Sequence, residues 1–181
     1  MSEIGQVTTA EQLLHASDLG RCELLRGELV MMSPSGFEHG RLVTSVATPL
    51  DVVISGKGFG VVLGGETGFR IARDPDTVRA PDVAFVRAER VSSPPCRGFF
   101  PGAPDLAVDI LSPDDRASEV LAKVQDWLEA GCQRVWVVDP RTRSITVYRS
   151  PGEIVLLREN SVLTDDELLP GFSLNVADVF R

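Results

Sequence analysis

The segment Leu106-Ala107-Val108-Asp109-Ile110-Leu111 constrains this chain more than any other stretch: it is an apolar run of strand length that carries one carboxylate. A run without polar alternation is expected of a central strand covered on both faces, so the chain is expected to form a layered α/β structure. The carboxylate tightens the constraint. Burying an unpaired one costs several kcal/mol or more, so Asp109 must meet a metal cation, an arginine, backbone amides or a proton. Strand alternation puts Ala107, Asp109 and Leu111 on one face and Leu106, Val108 and Ile110 on the other.

The flanking sequence supplies the layers. Residues 8–16 read as a short helix capped by Thr8 or Thr9. Two apolar runs about Arg26-Gly27 read as a hairpin, followed by a loop at 33–36. From 37 to 54, Leu42, Val43, Val46, Leu50, Val53 and Ile54 recur at helical spacing. Pro49 is expected to kink or split that helix, and Gly56-Lys57-Gly58 ends it. Residues 59–63 and 67–72 read as two strands joined by Gly64-Gly65, 73–79 as a polar loop, and 81–86 as a strand whose proline is tolerable at its first position. Residues 92–104 read as a long, mobile loop. Residues 115–130 form the clearest helix, with Ala117, Val120, Leu121, Val124, Trp127 and Leu128 in one stripe. Ser112-Pro113-Asp114-Asp115 reads as its capped start and Gly131 as its stop. A buried strand at 135–138 follows, ended by Asp139-Pro140, then an antiparallel pair at 144–148 and 153–157 and a short closing segment ending near Val179. The order from Phe37 to Asp139 is therefore helix, three to four strands, helix, strand, with an N-terminal hairpin and C-terminal strands added.

Bulk properties narrow the class. A length of 181 residues and a hydrophobic fraction of 43% fit one domain, residues 1–181, with a real core. The net charge of −8 argues against a basic nucleic-acid scaffold and an anionic membrane surface, without excluding a locally basic cleft. Cys22, Cys96 and Cys132 are odd in number and show no zinc spacing, which suits a reduced, cytoplasmic protein. Met1-Ser2-Glu3-Ile4-Gly5 lacks the pattern of a secretory leader, and no apolar stretch approaches the roughly 20 residues needed to span a bilayer. There is no G-x-S-x-G and no G-x-x-x-x-G-K.

Two further residues give Asp109 a chemical context. Asp82 begins the apolar strand Pro81-Asp82-Val83-Ala84-Phe85-Val86, near one edge of the sheet. If the two strands are neighbours, two carboxylates converge, and a hard divalent cation such as Mg²⁺ relieves their repulsion. Lys123, flanked by Val120 and Trp127 one turn away, stands at the edge of its helix's apolar stripe. From there its stem can run along apolar surface and aim the ammonium at the sheet.

These residues, taken with Pro104-Asp105, Ser112-Pro113, Ala130-Gly131 and Val135-Trp136-Val137-Val138-Asp139-Pro140, resemble the Uma2-type proteins, also known as the DUF820 family. That family is assigned to the PD-(D/E)XK, restriction-endonuclease-like superfamily. Glu23-Leu24-Leu25-Arg26-Gly27-Glu28-Leu29, Ser33-Pro34 and His39 extend the resemblance over roughly residues 20–178. It implies a central sheet flanked by helices, with Asp82 and Asp109 as metal ligands. The superfamily's lysine stands two residues after the second acid, where this chain has Leu111; Lys123 matches the helical lysine that substitutes in Uma2-type proteins. The family's second acid is usually glutamate, and here it is Asp109.

The expectation is an Mg²⁺- or Mn²⁺-dependent endonuclease acting on DNA. Asp82, Asp109 and the carbonyl of Ile110 would hold the metal, Lys123 would orient water or steady the transition state, and Glu66 and His39 are outer candidates. Each residue has a plainer reading. Asp82 would cap a turn, Asp109 would pair with Arg79 or Arg134, Lys123 would be solvated, Glu66 would be a strand-edge acid and His39 a cap or packing residue. Trp127 and Trp136 read as core, Asp139 as a turn residue and Asp105 as a strand-start acid. The alternative function is a catalytically inactive dimeric binding or regulatory module that keeps the nuclease fold. A homodimer is expected from the family, and no membrane partner.

Overall fold

The computed structural model describes residues 7–16, 19–94 and 96–181. The N-terminal pentapeptide read above lies outside them. In chain order the elements are α1 (Ala10–His15), β1 (Cys22–Leu25), β2 (Glu28–Met31), α2 (Phe37–Lys57), β3 (Gly60–Gly64), β4 (Phe69–Ala72), β5 (Thr77–Arg79), β6 (Val83–Arg87), β7 (Phe100–Pro101), β8 (Leu106–Ile110), α3 (Ala117–Glu129), β9 (Arg134–Asp139), β10 (Ser144–Ser150), β11 (Glu153–Arg158), β12 (Val162–Thr164), β13 (Ser173–Asn175) and α4 (Val176–Val179).

β8 is interior to a six-stranded sheet of order β11-β10-β9-β8-β6-β3, and all its residues are buried. It runs parallel to β9 and antiparallel to β6. Alternation divides it between two cores. Leu106, Val108 and Ile110 meet Leu42, Val46, Leu50 and Ile54 of α2, while Ala107 meets Val124 and Trp127 of α3. Asp109 follows the α3 side by alternation. The sheet is thus covered on both faces, and the helix, strands, helix, strand order is present. β6 is flanked by β3 and β8, so Asp82 leads into an interior strand and not an edge.

α2 is one helix of 21 residues, not split at Pro49. A proline removes one backbone donor. Val46, Leu50 and Ile54, all fully buried, hold the two halves against the sheet. Gly58 closes the helix in the left-handed conformation, with φ +66.

α3 begins at Ala117, later than its sequence start signal. Ser112-Pro113-Asp114-Asp115 forms a separate turn in which the Asp115 carboxylate accepts the Ser112 N–H at 2.7 Å. Its stripe is narrower than its composition: Val124 and Trp127 are buried, whereas Ala117 and Leu121 are exposed.

A second sheet, of order β2-β1-β5-β4-β7, includes two segments expected to be loops. The polar segment 73–79 contains β5, whose three residues are all buried. Their polar groups are satisfied by tertiary partners, Thr77 by the Arg26 N–H and Arg79 by Glu23 and Asp126. The loop 92–104 contributes β7, which pairs parallel with β4, and Phe100 packs on Phe69 with ring centroids 5.5 Å apart. β3 runs on through Gly64 and β4 begins only at Phe69, so residues 65–68 join them, and the two strands belong to different sheets.

The closing segment is larger than expected: β12 and β13 pair, and Leu163, Leu168, Leu169, Phe172, Leu174, Val176, Val179 and Phe180 join the α2-side core. Phe172 stacks on Trp136 at 5.8 Å. Among the described residues no helix is long and apolar enough to cross a membrane.

Candidate functional site

The registered pairing of β6 with β8 runs from Phe85↔Leu106 to Val83↔Val108. Continuing that register sets Asp82 opposite Asp109, where the two strands part. There the Asp82 side chain replaces a ladder bond: its Oδ2 accepts the Ile110 N–H at 2.7 Å. The same oxygen is 3.2 Å from His39 Nε2, and Oδ1 is 3.5 Å from Arg21 Nη2. Burial pushes the Asp82 pKa up, but the hydrogen bonds from His39 and Ile110, with the charges of His39 and Lys123, hold it below the usual carboxylate range.

His39 is in the first turn of α2, on the side turned to the sheet. Its pKa is raised above that of a free histidine, chiefly by the hydrogen bond to Asp82 and against burial, with the Ile110 carbonyl adding support. Ile110 therefore meets both residues, its N–H on Asp82 and its carbonyl beside His39.

Asp109 turns to α3. Lys123 Nζ donates to its Oδ1 at 2.6 Å, and Trp127 Nε1 donates to its Oδ2 at 3.2 Å. Lys123 and Trp127, four residues apart, share one helix face. Burial raises the Asp109 pKa, the charges of Asp82 and Glu23 add to the rise, and Lys123 opposes it. Burial disfavours the charge on Lys123, yet Asp109, Glu23 and Asp82 around it overcome that and raise its pKa. Lys123 also donates to the Ala80 carbonyl at 3.3 Å and lies 3.5 Å from Glu23 Oε1.

Asp82, Asp109, Lys123, His39 and Ile110 thus come together. Glu66 does not touch either aspartate; it is linked to Asp82 through Arg21, whose Nε is 2.5 Å from Glu66 Oε1. Glu66 has φ +62, an uncommon conformation for a residue with a side chain. Neither expected partner arginine reaches Asp109. Arg79 bonds Glu23 at 2.7 Å and pairs with Asp126, while Arg134 bonds Asp165 at 2.6 Å and pairs with Glu167. Asp105, at the far end of β8, is a contrast: Arg90, Gln133 and the Arg87 N–H satisfy it within 3.0 Å. Trp136 is core, and Asp139 caps a turn through the Arg141 N–H and the Thr142 hydroxyl.

Three neighbours, Arg21, Glu23 and Asp126, were expected to have no role, and Arg79 was expected only as an alternative partner of Asp109. Glu23 carried a readable signal, a carboxylate inside the apolar strand Cys22-Glu23-Leu24-Leu25, the same anomaly as Asp109. It is buried, accepts the Ala80 N–H at 2.9 Å, and its pKa is lowered because Lys123, Arg79 and that N–H outweigh burial. Arg21 and Asp126 carried none, since an arginine before a hairpin and an acid on a helix are ordinary surface patterns.

Among the described residues no group of three His, Cys, Asp or Glu side chains is set to hold a metal. The donor set still fits a hard cation of the Mg²⁺ type. Such ions take one or two carboxylates and complete their shell with water and substrate oxygens. Asp82 and Asp109 offer two carboxylates, both oxygens of Asp109 being bonded to Lys123 and Trp127.

The Uma2 family, described as "putative restriction endonuclease", matches residues 9–177. Among solved structures, the crystal structure of a "putative nuclease belonging to DUF820" from Anabaena variabilis ATCC 29413 is similar. The TM-score is 0.82 and the identity 19%, over 95% of this chain and 97% of that one. That likeness establishes a shared fold. No curated protein matches.

Proposed function

The chain belongs to the Uma2 family, and from that premise we propose that it is a divalent-metal-dependent endonuclease that hydrolyses phosphodiester bonds of DNA. The observation that carries the reading is the meeting of Asp82 and Asp109 where β6 and β8 part, with Lys123 bonded to Asp109. Asp82, Asp109 and the Ile110 carbonyl would hold Mg²⁺ or Mn²⁺. A cation there supplies Lewis acidity toward a phosphate oxygen and acidifies a bound water.

The chain's own groups do the rest. Lys123, whose pKa the acids Asp109, Glu23 and Asp82 raise against burial, offers an ammonium to the charge that builds on the phosphate. Hydrolysis forms a bond from water oxygen to phosphorus and breaks the bond to a sugar oxygen, which needs a proton. His39 is proposed to deliver it, since its contact with Asp82 keeps it protonated to higher pH than a free histidine. Trp127 fixes Asp109 through its N–H and helps exclude water, being fully buried.

The test is cleavage of supercoiled plasmid with Mg²⁺ or Mn²⁺ by the wild type, Asp82→Ala and Asp109→Ala. Loss of cleavage in both variants is expected; equal cleavage by all three overturns the reading. The second reading, a non-catalytic dimeric binding module, is favoured by one observation: both oxygens of Asp109 are already bonded within the chain. Calorimetric titration with Mn²⁺ separates the two. A competent site binds the ion and loses it in either aspartate variant, whereas a silent wild type supports the module.

A homodimer is part of the proposal, supported by the outer strand β11, where Ile154, Val155 and Leu156 are exposed. Sedimentation of the wild type and Leu156→Lys tests it. Residence in the cytoplasm is proposed with it, in keeping with three free cysteines.

A further inference from the structure

Arg21 has no part in the mechanism above, yet it is the cation nearest the open side of Asp82. Asp82 Oδ2 is taken by the Ile110 N–H and His39, and Oδ1 has Arg21 Nη2 at 3.5 Å. That distance is long for an ion pair, whereas the other nitrogens are held closely. Nη1 donates to Ser35 Oγ at 2.7 Å and lies 3.4 Å from the Ser33 carbonyl, and Nε is 2.5 Å from Glu66 Oε1. Ser35 thus anchors the guanidinium by a hydrogen bond, Glu66 pairs with it by charge alone, and Nη2 leans on Asp82. Its side chain is 20% exposed, while Nε itself is buried.

Two features make this an arrangement with a use. Glu66, the acid paired with Nε, is held at φ +62, where a side chain is disfavoured, in the passage between β3 and β4. Asp82 Oδ1, whose one partner is Arg21 Nη2, is the carboxylate oxygen left for a hard cation, since Oδ2 is held by Ile110 and His39. A guanidinium and a divalent cation repel each other at contact distance, so both cannot sit on Oδ1. The freed fork matches the two oxygens of a phosphate diester, which arginine binds in a bidentate manner.

We propose that Arg21 is a resident counter-cation: it occupies the cation side of Asp82 in the metal-free protein and binds the substrate phosphodiester when a divalent cation takes its place. This rests on the metal-dependent nuclease reading. The Ser35 hydrogen bond and the Glu66 charge keep the guanidinium within reach in both states. The divalent ion adds positive charge beside Asp82, and the phosphate Arg21 then holds brings the compensating negative charge.

The experiment uses Arg21→Gln and Arg21→Lys in the full chain, with two readouts besides cleavage. The first is Mn²⁺ affinity by calorimetry. Removing the competing charge is expected to tighten Mn²⁺ binding about tenfold in Arg21→Gln, with Arg21→Lys near wild type; a merely structural arginine would leave affinity unchanged or weaker. The second is the salt dependence of binding a DNA oligonucleotide, measured by fluorescence anisotropy in Ca²⁺. The slope of log affinity against log salt is expected to fall by about 0.9 in Arg21→Gln, the signature of one lost phosphate contact. Far-UV circular dichroism confirms folding, and Arg21→Lys carries the test if the glutamine variant does not fold: its phosphate contact persists while its bidentate geometry is lost, so affinity falls with the slope kept. If the wild type binds Mn²⁺ and Arg21→Gln binds it no more tightly, this inference falls and the nuclease reading stands. If neither protein binds Mn²⁺, both fall. An unchanged salt slope removes the phosphate role.

Discussion

Lys123→Met removes the ammonium from Asp109 while keeping a side chain of similar length. In the wild type the pair is 2.6 Å apart, and Asp109 is 8% exposed. After the change, the Trp127 N–H is the remaining donor to a carboxylate whose pKa burial already raises. The carboxylate then has one escape, which is to take a proton, and that sets a ceiling on the loss. One pKa unit is worth about 1.4 kcal/mol. Keeping a carboxyl of ordinary pKa, about 3.9, protonated therefore costs about 4 kcal/mol at pH 7 and about 1.5 kcal/mol at pH 5.

The expected destabilisation is accordingly about 3–4 kcal/mol at pH 7, in the range for breaking a buried pair, and below about 1.5 kcal/mol at pH 5. The sign follows from linkage. A folded-state pKa raised above the unfolded one means that the native protein binds more protons, so stability falls as pH rises between the two. Urea unfolding of metal-free wild type and variant at both pH values reads this directly. Adding Asp109→Asn to Lys123→Met removes the stranded charge and restores most of the loss at pH 7. Equal losses at pH 5 and pH 7, or no rescue by the second change, would refute the argument that Lys123 neutralises a buried carboxylate.

Other outcomes follow from the same geometry. His39, whose pKa Asp82 raises, contributes stability that is fully present below the ordinary histidine pKa and is lost as pH rises through the folded value. Metal-free wild type should therefore lose stability from pH 6 to pH 9 more steeply than His39→Gln, as read by thermal unfolding. Glu23→Gln leaves Arg79 and Lys123 short of an acid and is expected to cost about 3 kcal/mol at pH 7 in urea unfolding. Because the Glu23 pKa is lowered in the fold, that cost should shrink as pH falls below about 4. Gly60→Ala puts a Cβ 2.0 Å from the Val86 carbonyl in the β3–β6 pairing, and should cost about 3 kcal/mol or more or prevent folding.

Much of the larger sheet was legible because its signals are local. The apolar run of β8, the alternation around β6, the stripe of α3 and the glycine stops at Gly58 and Gly131 each depend on a few neighbouring residues. The smaller sheet was less legible because its strands are made by partners distant in the chain. Thr77-Val78-Arg79 reads as loop until Glu23, Asp126 and the Arg26 N–H satisfy its polar groups. The same division applies to the site. Asp109 announced itself by being an acid among apolar residues, and Lys123 by its place on a stripe. Arg21 gave no signal, since nothing in its own surroundings says that Ser35, Glu66 and Asp82 converge on it. Pro49 misled in the opposite direction, because a local rule yielded to the packing of Val46, Leu50 and Ile54.

The chain leaves the larger sheet after β3, returns to it at β6, and leaves Glu66, Ala80 and Asp82 on those two passages. The carboxylate cluster therefore sits on the seam between the sheets, stitched by Arg21 from one side and by Lys123 and Glu23 from the other. A sliding of one sheet past the other shears the Arg21–Asp82 and Lys123–Glu23 spacings together with the core that joins Phe69 of β4 to Ala84 and Val86 of β6. Mechanically, whatever grips the cluster also rivets the two sheets together. Its footprint in amide hydrogen exchange should reach β1 and β5, strands that contribute none of the aspartates.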